Sequence, residues 1–487
     1  MHISPFVILL GWIPAGVYLF RRYPVRIAIL ANFLGGWAIL PGANYQASPD
    51  AFPYWILGVC LPADYFFTKA TATGLAALVG MLLFHTADLK RFRPGICDLP
   101  MVVWCCVPLL SAATHWKTVY EGILGATYQT ISWGVPWLLG RIHFSDDGSL
   151  LLAAKACVIA GICYVPVCLF EIFAGPQLYA FFYGYQPYRW VGVERYAGFR
   201  PIGFLEDGNQ LGIWMAAATL LAVFLFLHRL KDRILGLPMG WVAAGLAAVT
   251  LLCQSAGSIL LLLFLLPMVM FKRRSVLRAF VGILVLSILA FALFRITNLV
   301  SLRALEQRNG ITRSLSIALT SIGRHSLLWR FARDESQINV ALQKPLLGFG
   351  QWNWWQQGGV RPWSLWLLIF GMYGLVGLIS FGTILFLPVM RAVWPTARGY
   401  APNESNIRLA MAALILMVAI DNLLNGAMIL PYLLIMGGLA AVQKAKGGAT
   451  TSWSPKSAPI SSPARGDDKA GTSDTPTPTL DAKSLFC

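Results

Sequence analysis

The stretch RPIGFLEDGNQLGIWMAAATLLAVFLF, residues 200–226, places a strongly polar segment directly before a long apolar one. Its second half is long enough to cross a lipid bilayer, since a transmembrane helix needs about 20 mostly apolar residues. Its first half carries Arg200, Glu206, Asp207 and Asn209. We therefore expect a transmembrane helix that begins in a polar segment at the membrane surface.

The rest of the chain has the same apolar character. Of its 487 residues 57% are hydrophobic and only 12% are charged, whereas soluble domains are about 25% charged. The apolar runs lie near residues 5–20, 25–41, 68–84, 99–113, 122–140, 151–173, 209–227, 238–253, 257–271, 279–297, 364–390, 409–424 and 427–442. The sequence therefore predicts an all-α polytopic membrane protein of about 12–13 transmembrane helices.

Positive charge alternates between the short connections and predicts the orientation. One set of connections holds most of the lysines and arginines: Arg21, Arg22, Arg26, Lys90, Arg91, Arg93, Arg141, Arg229, Lys231, Arg233, Lys272, Arg273, Arg274, Arg278, Arg391, Arg398, Arg408, Lys444 and Lys446. The opposite short connections hold only Lys69 and Lys117. Because cytoplasmic loops carry the excess of Lys and Arg, the first set is expected inside, and the N-terminus outside.

Two longer segments divide the chain into parts. We expect transmembrane helices over 1–174, an outer loop over 175–207, helices over 208–297, a large outer loop over 298–363, helices over 364–443 and a disordered cytoplasmic tail over 444–487, which is rich in Ser, Pro, Thr and Gly. The large loop is cationic although it is predicted to lie outside. Long loops can cross the membrane despite their charge, so its arginines indicate an anionic partner.

The polar start of the opening stretch has two interpretations. Asp207 and Gln210 follow the pattern of a capping box, which satisfies the free N–H groups of a helix N-terminus. That pattern does not account for Arg200, Glu206 or Asn209. The second interpretation is a site at the membrane surface, where Arg200 binds phosphate or diphosphate beside a helix N-terminus. An arginine that anchors lipid headgroups remains an alternative.

Residues 321–352 are predicted to contain one amphipathic helix that ends at Lys344-Pro345. Leu328, Phe331, Ile338 and Leu342 recur at helical spacing, and such a helix is expected to lie along the outer membrane face. Within it Arg330 and Asp334 are four residues apart, which favours an ion pair, while Arg333 and Glu335 are expected on a solvated face. The tryptophans at 352, 354, 355 and 363 fit an interfacial belt, with stacking on sugars as the alternative.

His325 stands next to Arg324 and is the only histidine in the two large outer segments. Both a structural and a catalytic role are open for it. No cysteine pair has the spacing of a metal site, and no cluster of carboxylates or histidines suggests one. We therefore expect neither a metal nor a cofactor.

Four sequence elements, in their order and spacing, resemble the O-antigen ligase and Wzy-type polysaccharide polymerase superfamily over roughly residues 195–440. They are Arg200-x-x-Gly203-Phe204 with Asn209-x-Leu211, the turn LLCQSAGSILLL (251–262), the helix WRFARDESQINVALQKPLLGFG (329–350) and the span LWLLIFGMYGLVGL (365–378). Two positions depart from the family pattern: Ala256 stands where the family has arginine, and Trp363-Ser364 stands where it often has His-Asn.

The resemblance implies a function as well as a fold. It implies a GT-C-like multi-pass protein of the bacterial inner (cytoplasmic) membrane whose active face is periplasmic. Such a protein polymerises or ligates glycan from an undecaprenyl-diphosphate-linked oligosaccharide onto a glycan or lipid acceptor, without metal. The partners are then these substrates and membrane lipids, and no nucleic acid.

The same resemblance, joined to the charge pattern, gives a set of candidate site residues. The candidate catalytic residues are Arg200, His325, Arg330 and Glu206. The arginines would stabilise the leaving diphosphate. His325, Glu206 or Glu335 would accept the proton of the acceptor hydroxyl. The candidate substrate-binding residues are Arg324, Asn209, Glu335 and Arg361.

Three other functions remain open. A ligase and a polymerase are not separated by these residues. A transporter or flippase of lipid-linked oligosaccharide is a further alternative, although such proteins place charge at mid-membrane and the predicted span centres here are nearly free of charge. The Trp363-Ser364 departure also leaves a non-catalytic polysaccharide-assembly factor open.

Overall fold

A computed structural model describes residues 2–44, 67–114, 119–185, 194–195, 197–270, 273–297, 325–394, 406–426 and 428–441. Its helices are Pro5–Arg22, Val25–Ile39 with a π turn at Ala31–Gly35, Lys69–Phe84, Thr86–Arg91, Leu99–Thr114, Val119–Gln129, Val135–His143, Asp147–Ala174, Leu178–Tyr183, Gly208–Leu227, Met239–Leu252, Ala256–Met270, Arg274–Ile296, His325–Ala341, Leu365–Val393, Asn406–Asp421 and Leu433–Ala440. A second π turn, Thr130–Gly134, and the short 3-10 turns Ile96–Asp98, Trp352–Gly358 and Leu430–Tyr432 complete the helical segments. Each apolar run predicted from the sequence overlaps at least one of these helices.

The only strands among these residues form two antiparallel hairpins of two residues a side. Glu194–Arg195 pairs with Gly198–Phe199, and Arg233–Ile234 pairs with Leu237–Pro238. The chain is thus almost wholly helical where the structure describes it, as predicted.

In the part of the chain that the structure describes, five helices are long and apolar enough to cross a membrane. They are Ile96–Ala113, Asp147–Ala174, Gly208–Leu227, Ser275–Ile296 and Leu365–Val393. Shorter apolar helices, among them Met239–Leu252 and Ala256–Met270, pack beside them. These lengths and compositions confirm the prediction of a helical membrane protein.

The helix Gly208–Leu227, here called the central helix, lies in the middle of the bundle. It contacts the helices Asp147–Ala174, Met239–Leu252, Ala256–Met270 and Asn406–Asp421. Most of its residues are buried within the protein. A helix that is apolar all round is expected to be buried on every side. Small residues permit close packing at its start: a Cβ on Gly212 would lie 2.5 Å from the Cβ of Ser255.

Polar contacts between distant parts of the chain fall into two groups. One group joins connections that the charge pattern places inside: Arg26 to Asp146 at 2.8 Å, Arg141 to Asp98 at 2.8 Å, and Arg408 to Asp147 at 2.6 Å. We call this the basic end. The other joins segments predicted outside: His2 to the carbonyl of Phe181, Lys69 to Glu206, Arg200 to Ser255, and Arg330 to Asn425. We call this the site end.

The amphipathic helix is shorter than predicted. It runs from His325 to Ala341 and is followed by turns, so it ends before Lys344-Pro345. Ile338 faces inward as predicted, with 1% of its surface exposed, but Leu342 is 36% exposed and lies past the helix end. The side chains of Leu328 and Phe331, residues 298–324 of the predicted large loop and the predicted tail at 444–487 lie outside the described residues.

The helix Leu365–Val393 is interrupted at Gly374, whose φ of 63° and ψ of −160° are not helical. The segment PLLGFG, residues 345–350, pairs with the interrupted backbone. Phe349 and Gly350 donate their N–H groups to the carbonyls of Gly371 and Met372 at 2.9 and 2.8 Å, and Leu375 donates to Pro345 at 2.8 Å. The inserted segment therefore satisfies backbone groups that a break in an apolar helix would leave unpaired.

Candidate functional site

The loop that carries Arg200 is held by buried side chains from a neighbouring helix. The Glu171 carboxylate accepts hydrogen bonds from the N–H groups of Ile202 at 2.8 Å and Gly203 at 2.7 Å, and the Tyr164 hydroxyl accepts one from Phe204 at 3.0 Å. Gly203 has a φ of 60°, and a Cβ there would lie 2.8 Å from the Tyr164 ring. Only glycine fits this position without strain, so the loop has one well-defined conformation.

The start of the central helix is capped as predicted. The Asp207 side chain accepts a hydrogen bond from the N–H of Gln210 at 2.6 Å. The reciprocal bond is shifted by one residue, because the Gln210 side chain accepts from the N–H of Glu206 at 3.1 Å. The cap thus fixes the end of the Arg200 loop to the helix.

Arg200 lies across the mouth of this helix. Its stem packs on Gly208, where a Cβ would lie 2.6 Å from the arginine Nε. Its Nη2 donates to Asn209 at 2.6 Å and to the Ser255 hydroxyl at 3.3 Å. Ser255 belongs to the turn between the helices Met239–Leu252 and Ala256–Met270, so the structure brings together the first two sequence elements described above.

Arg330 lies on another element of the site end. Its Nη1 donates to the Asn425 side chain at 2.7 Å, and its guanidinium lies over the Trp363 ring, 5.8 Å from the centroid. Arg361 lies over the same ring at 5.9 Å. The Trp363 ring therefore contacts two cations.

The predicted Arg330–Asp334 ion pair is wrong. The Asp334 carboxylate instead accepts hydrogen bonds from the N–H groups of Trp363 at 2.7 Å and Ser364 at 3.3 Å. Ser364, at the N-cap of the helix Leu365–Val393, makes no side-chain cap of its own. Asp334, from a different helix, supplies this cap instead. Burial raises the pKa of Asp334, and these hydrogen bonds act in the opposite direction.

Asp421 connects the two arginines and was not among the residues predicted from the sequence. It is 8% exposed and accepts a hydrogen bond from the Asn425 amide at 2.6 Å. Arg200 and Arg330 both interact with it electrostatically, as does Asp207. The available signal was an aspartate at the end of an apolar run, because ionisable groups in membrane helices are costly and often functional.

Glu206 is near Arg200 in sequence but is buried in a separate ion pair. It is 2% exposed, and its Oε1 lies 2.5 Å from the Nζ of Lys69, which is completely buried. The Lys69 ammonium also lies over the Trp37 ring at 4.2 Å. Burial raises the pKa of Glu206 and the Lys69 charge lowers it. This setting favours a structural ion pair over a base that receives a proton from an acceptor.

The remaining predicted residues lie on or near the amphipathic helix. His325 begins this helix, and its side chain, like the whole of Arg324, lies outside the described residues. Glu335 is half-buried and interacts electrostatically with Arg295. Arg333, expected on a solvated face, is half-buried and donates to the carbonyl of Arg361 at 3.1 Å.

Neither a scan of protein-family models nor a search of curated proteins finds a match to this chain. The chemistry of the site must therefore be argued from its own groups. Arg200 and Arg330 offer fixed donors to an anion, and the N-terminus of the central helix adds a partial positive charge. Asp421 adds a carboxylate that interacts electrostatically with both arginines. Within the described ranges, no three histidine, cysteine or carboxylate side chains gather into a metal site.

Proposed function

We propose that this chain is a glycosyltransferase of the bacterial inner membrane that polymerises or ligates undecaprenyl-diphosphate-linked glycan. In this proposal it crosses the membrane about 12–13 times in a GT-C-like arrangement, with the site end facing the periplasm. The observation that carries the proposal is that two arginines lie at the same end of the bundle: Arg200 is bonded to Asn209 and Ser255, and Arg330 is joined through Asn425 to the buried Asp421.

The proposed reaction is a displacement at the anomeric carbon of the carrier-linked sugar. The acceptor hydroxyl oxygen forms the new glycosidic bond while the bond to the diphosphate breaks, and the electron pair of that bond leaves with the diphosphate. Arg200 and Arg330 stabilise this developing charge. Fixed donors aimed at developing charge make one of the largest contributions to catalysis, because they need no reorganisation during the reaction.

The hydroxyl proton needs an acceptor. We assign this role to the Asp421 carboxylate, which interacts electrostatically with both arginines, rather than to Glu206, which is paired with Lys69. His325 and Glu335 remain alternatives on the amphipathic helix. The departure at Trp363 then changes which group serves as base and leaves the arginine chemistry in place.

Replacing Arg200 tests the proposal most directly. Arg200→Ala should lower the rate of glycan transfer by about 10²–10³-fold, the usual effect of removing one such donor, and Arg200→Lys should retain part of the rate. The measurement is transfer from carrier-linked oligosaccharide in membranes that contain each variant. Arg195→Ala is the control, because Arg195 is exposed on the nearby hairpin. A normal rate for Arg200→Ala would refute the proposal.

Asp421→Asn tests the proton acceptor separately. Asparagine keeps an oxygen for the Asn425 hydrogen bond but accepts no proton, so we expect a rate about 10²–10⁴-fold lower with unchanged binding of the carrier-linked substrate. Glu206→Gln, the matched replacement of the other buried carboxylate, should have the smaller effect on rate. If Glu206→Gln is the more damaging change, the base is misassigned.

The product distinguishes a polymerase from a ligase. In cells that lack the protein, loss of long chains indicates a polymerase, while complete chains that stay on the carrier lipid indicate a ligase.

A flippase for the same carrier lipid is the second candidate, and the interruption at Gly374 favours it. Transporters use discontinuous helices near their substrate sites. Purified protein in liposomes distinguishes the two functions: movement of the carrier lipid between leaflets without any elongation would support the flippase.

A further inference from the structure

A cleft of about 550 Å³ opens at the far end of the central helix from the candidate site. The helix has 20 residues, and at 1.5 Å a residue it spans about 30 Å, the thickness of the hydrocarbon core of a bilayer. When the site end lies at one membrane surface, the cleft therefore lies at the other. Its polar wall comes from Arg229, Lys231 and Asp232, and its apolar wall includes Phe226 and Leu227.

Arg229 occupies a position that normally belongs to glycine. The N–H of Leu230 donates to the carbonyl of Leu225, and the N–H of Arg229 donates to that of Phe226, both at 3.1 Å. These two bonds define a Schellman motif, whose left-handed residue is usually glycine. Arg229 is that residue, with a φ of 50°. This strained position places a charged side chain in the wall of the cleft.

The cleft is lined by both cationic and apolar side chains. Among the described residues no ion pair within 4.0 Å involves Arg229 or Lys231, and Asp232 is the only acid in the wall. Leu230 and Leu237 beside it are 40% and 49% exposed. Cations together with exposed apolar side chains match a ligand that has a phosphate and acyl chains.

We propose that this cleft binds the headgroup of an anionic phospholipid in the leaflet opposite the candidate site. Arg229 and Lys231 bind the phosphate, and Phe226 and Leu227 contact the upper part of the acyl chains. The inference uses no residue of the candidate site, so it stands or falls independently of the proposed glycosyl transfer.

The test uses the full chain in nanodiscs of phosphatidylcholine, with or without a minor fraction of phosphatidylglycerol. Retained phosphatidylglycerol is counted by native mass spectrometry, and unfolding is followed by heating. The variants are Arg229→Gly and Lys231→Gln. The control is Arg233→Gln, because Arg233 is an exposed cation of the same hairpin that does not line the cleft.

Arg229→Gly and Lys231→Gln should each lower the affinity for phosphatidylglycerol about five-fold, equivalent to about 1 kcal/mol per cation near the surface, while Arg233→Gln leaves it unchanged. Arg229→Gly should not lower the unfolding midpoint in pure phosphatidylcholine, since glycine suits the left-handed position. An equal loss of affinity in Arg233→Gln would mean diffuse attraction to the membrane and would overturn the proposal. Equally tight binding of glycerol phosphate would overturn it in favour of a soluble anion.

Discussion

Lys69 and Glu206 show how single residues hold the site end together. Both charges are buried, and the ammonium has the Glu206 carboxylate and the Trp37 ring as its close neighbours. The cost of removing two charges from water is offset only when each keeps its partner. The pair ties the first turn of the helix Lys69–Phe84 to the residue before Asp207, which caps the central helix.

Lys69→Met should therefore destabilise the protein by about 3–5 kcal/mol, because it leaves the Glu206 charge buried without its partner. The double variant Lys69→Met with Glu206→Met should recover most of that loss, since apolar side chains of similar size fill the space. The measurement is thermal unfolding of the detergent-solubilised variants. Lys90→Met, at an exposed lysine, is the control. A double variant as unstable as the single one would show that the pair is not a unit.

At the scale of elements, the helix Leu365–Val393 and the segment 345–350 form one structure. The interruption at Gly374 leaves backbone N–H and carbonyl groups of the helix without helical partners, and the segment 345–350 forms hydrogen bonds with them. The same stretch of chain leads back from the amphipathic helix, which bears Arg330, to Trp363. The broken helix therefore contributes to the position of Arg330 as well as to its own packing.

Gly374→Ala should disrupt this arrangement. The backbone conformation there is nearly exclusive to glycine, and a Cβ would lie against the carbonyl group of Leu346. We expect a loss of at least about 1–3 kcal/mol from strain alone, together with faster proteolysis of the segment 345–350. Gly382→Ala in the same helix is the control, because a Cβ there has no neighbour within 4 Å. Equal stability of the two variants would show that the interruption is not required.

At the scale of the whole molecule, charge is sorted between two ends. Ion pairs such as Arg26–Asp146 and Arg408–Asp147 bring predicted inner connections together, and contacts such as Lys69–Glu206 do the same for predicted outer segments. The excess of Lys and Arg at the basic end predicts that this end faces the cytoplasm.

Cysteine labelling tests this orientation. Glu194→Cys at the site end should react with a membrane-impermeant maleimide in intact cells, because the residue is exposed and predicted outside. Arg93→Cys at the basic end, also exposed, should react only after the membrane is permeabilised. The reverse pattern would place the candidate site in the cytosol and exclude the proposed periplasmic reaction. The unmodified protein controls for its native cysteines.

Sequence patterns over neighbouring residues were enough to predict the helices. Apolar runs predicted the helices, Asp207 and Gln210 predicted the cap, and the lysines and arginines predicted which connections lie together, since each signal depends on residues that are close in the chain. The partners of the polar groups depend on residues far apart. Arg330 and Asp334 looked like a helical pair, yet the fold joins Asp334 to residues 363–364 and Arg330 to Asn425, 95 positions away.

The composition of the chain by itself determined a helical membrane protein with cationic segments beside its spans. Only the tertiary structure decided that Asp421 interacts with both Arg200 and Arg330, that Glu206 is buried against Lys69, and that Gly374 breaks its helix. The physical reason is that burial and pairing of charge depend on how helices pack, and helices apolar all round, such as Gly208–Leu227, carry no stripe that specifies their neighbours.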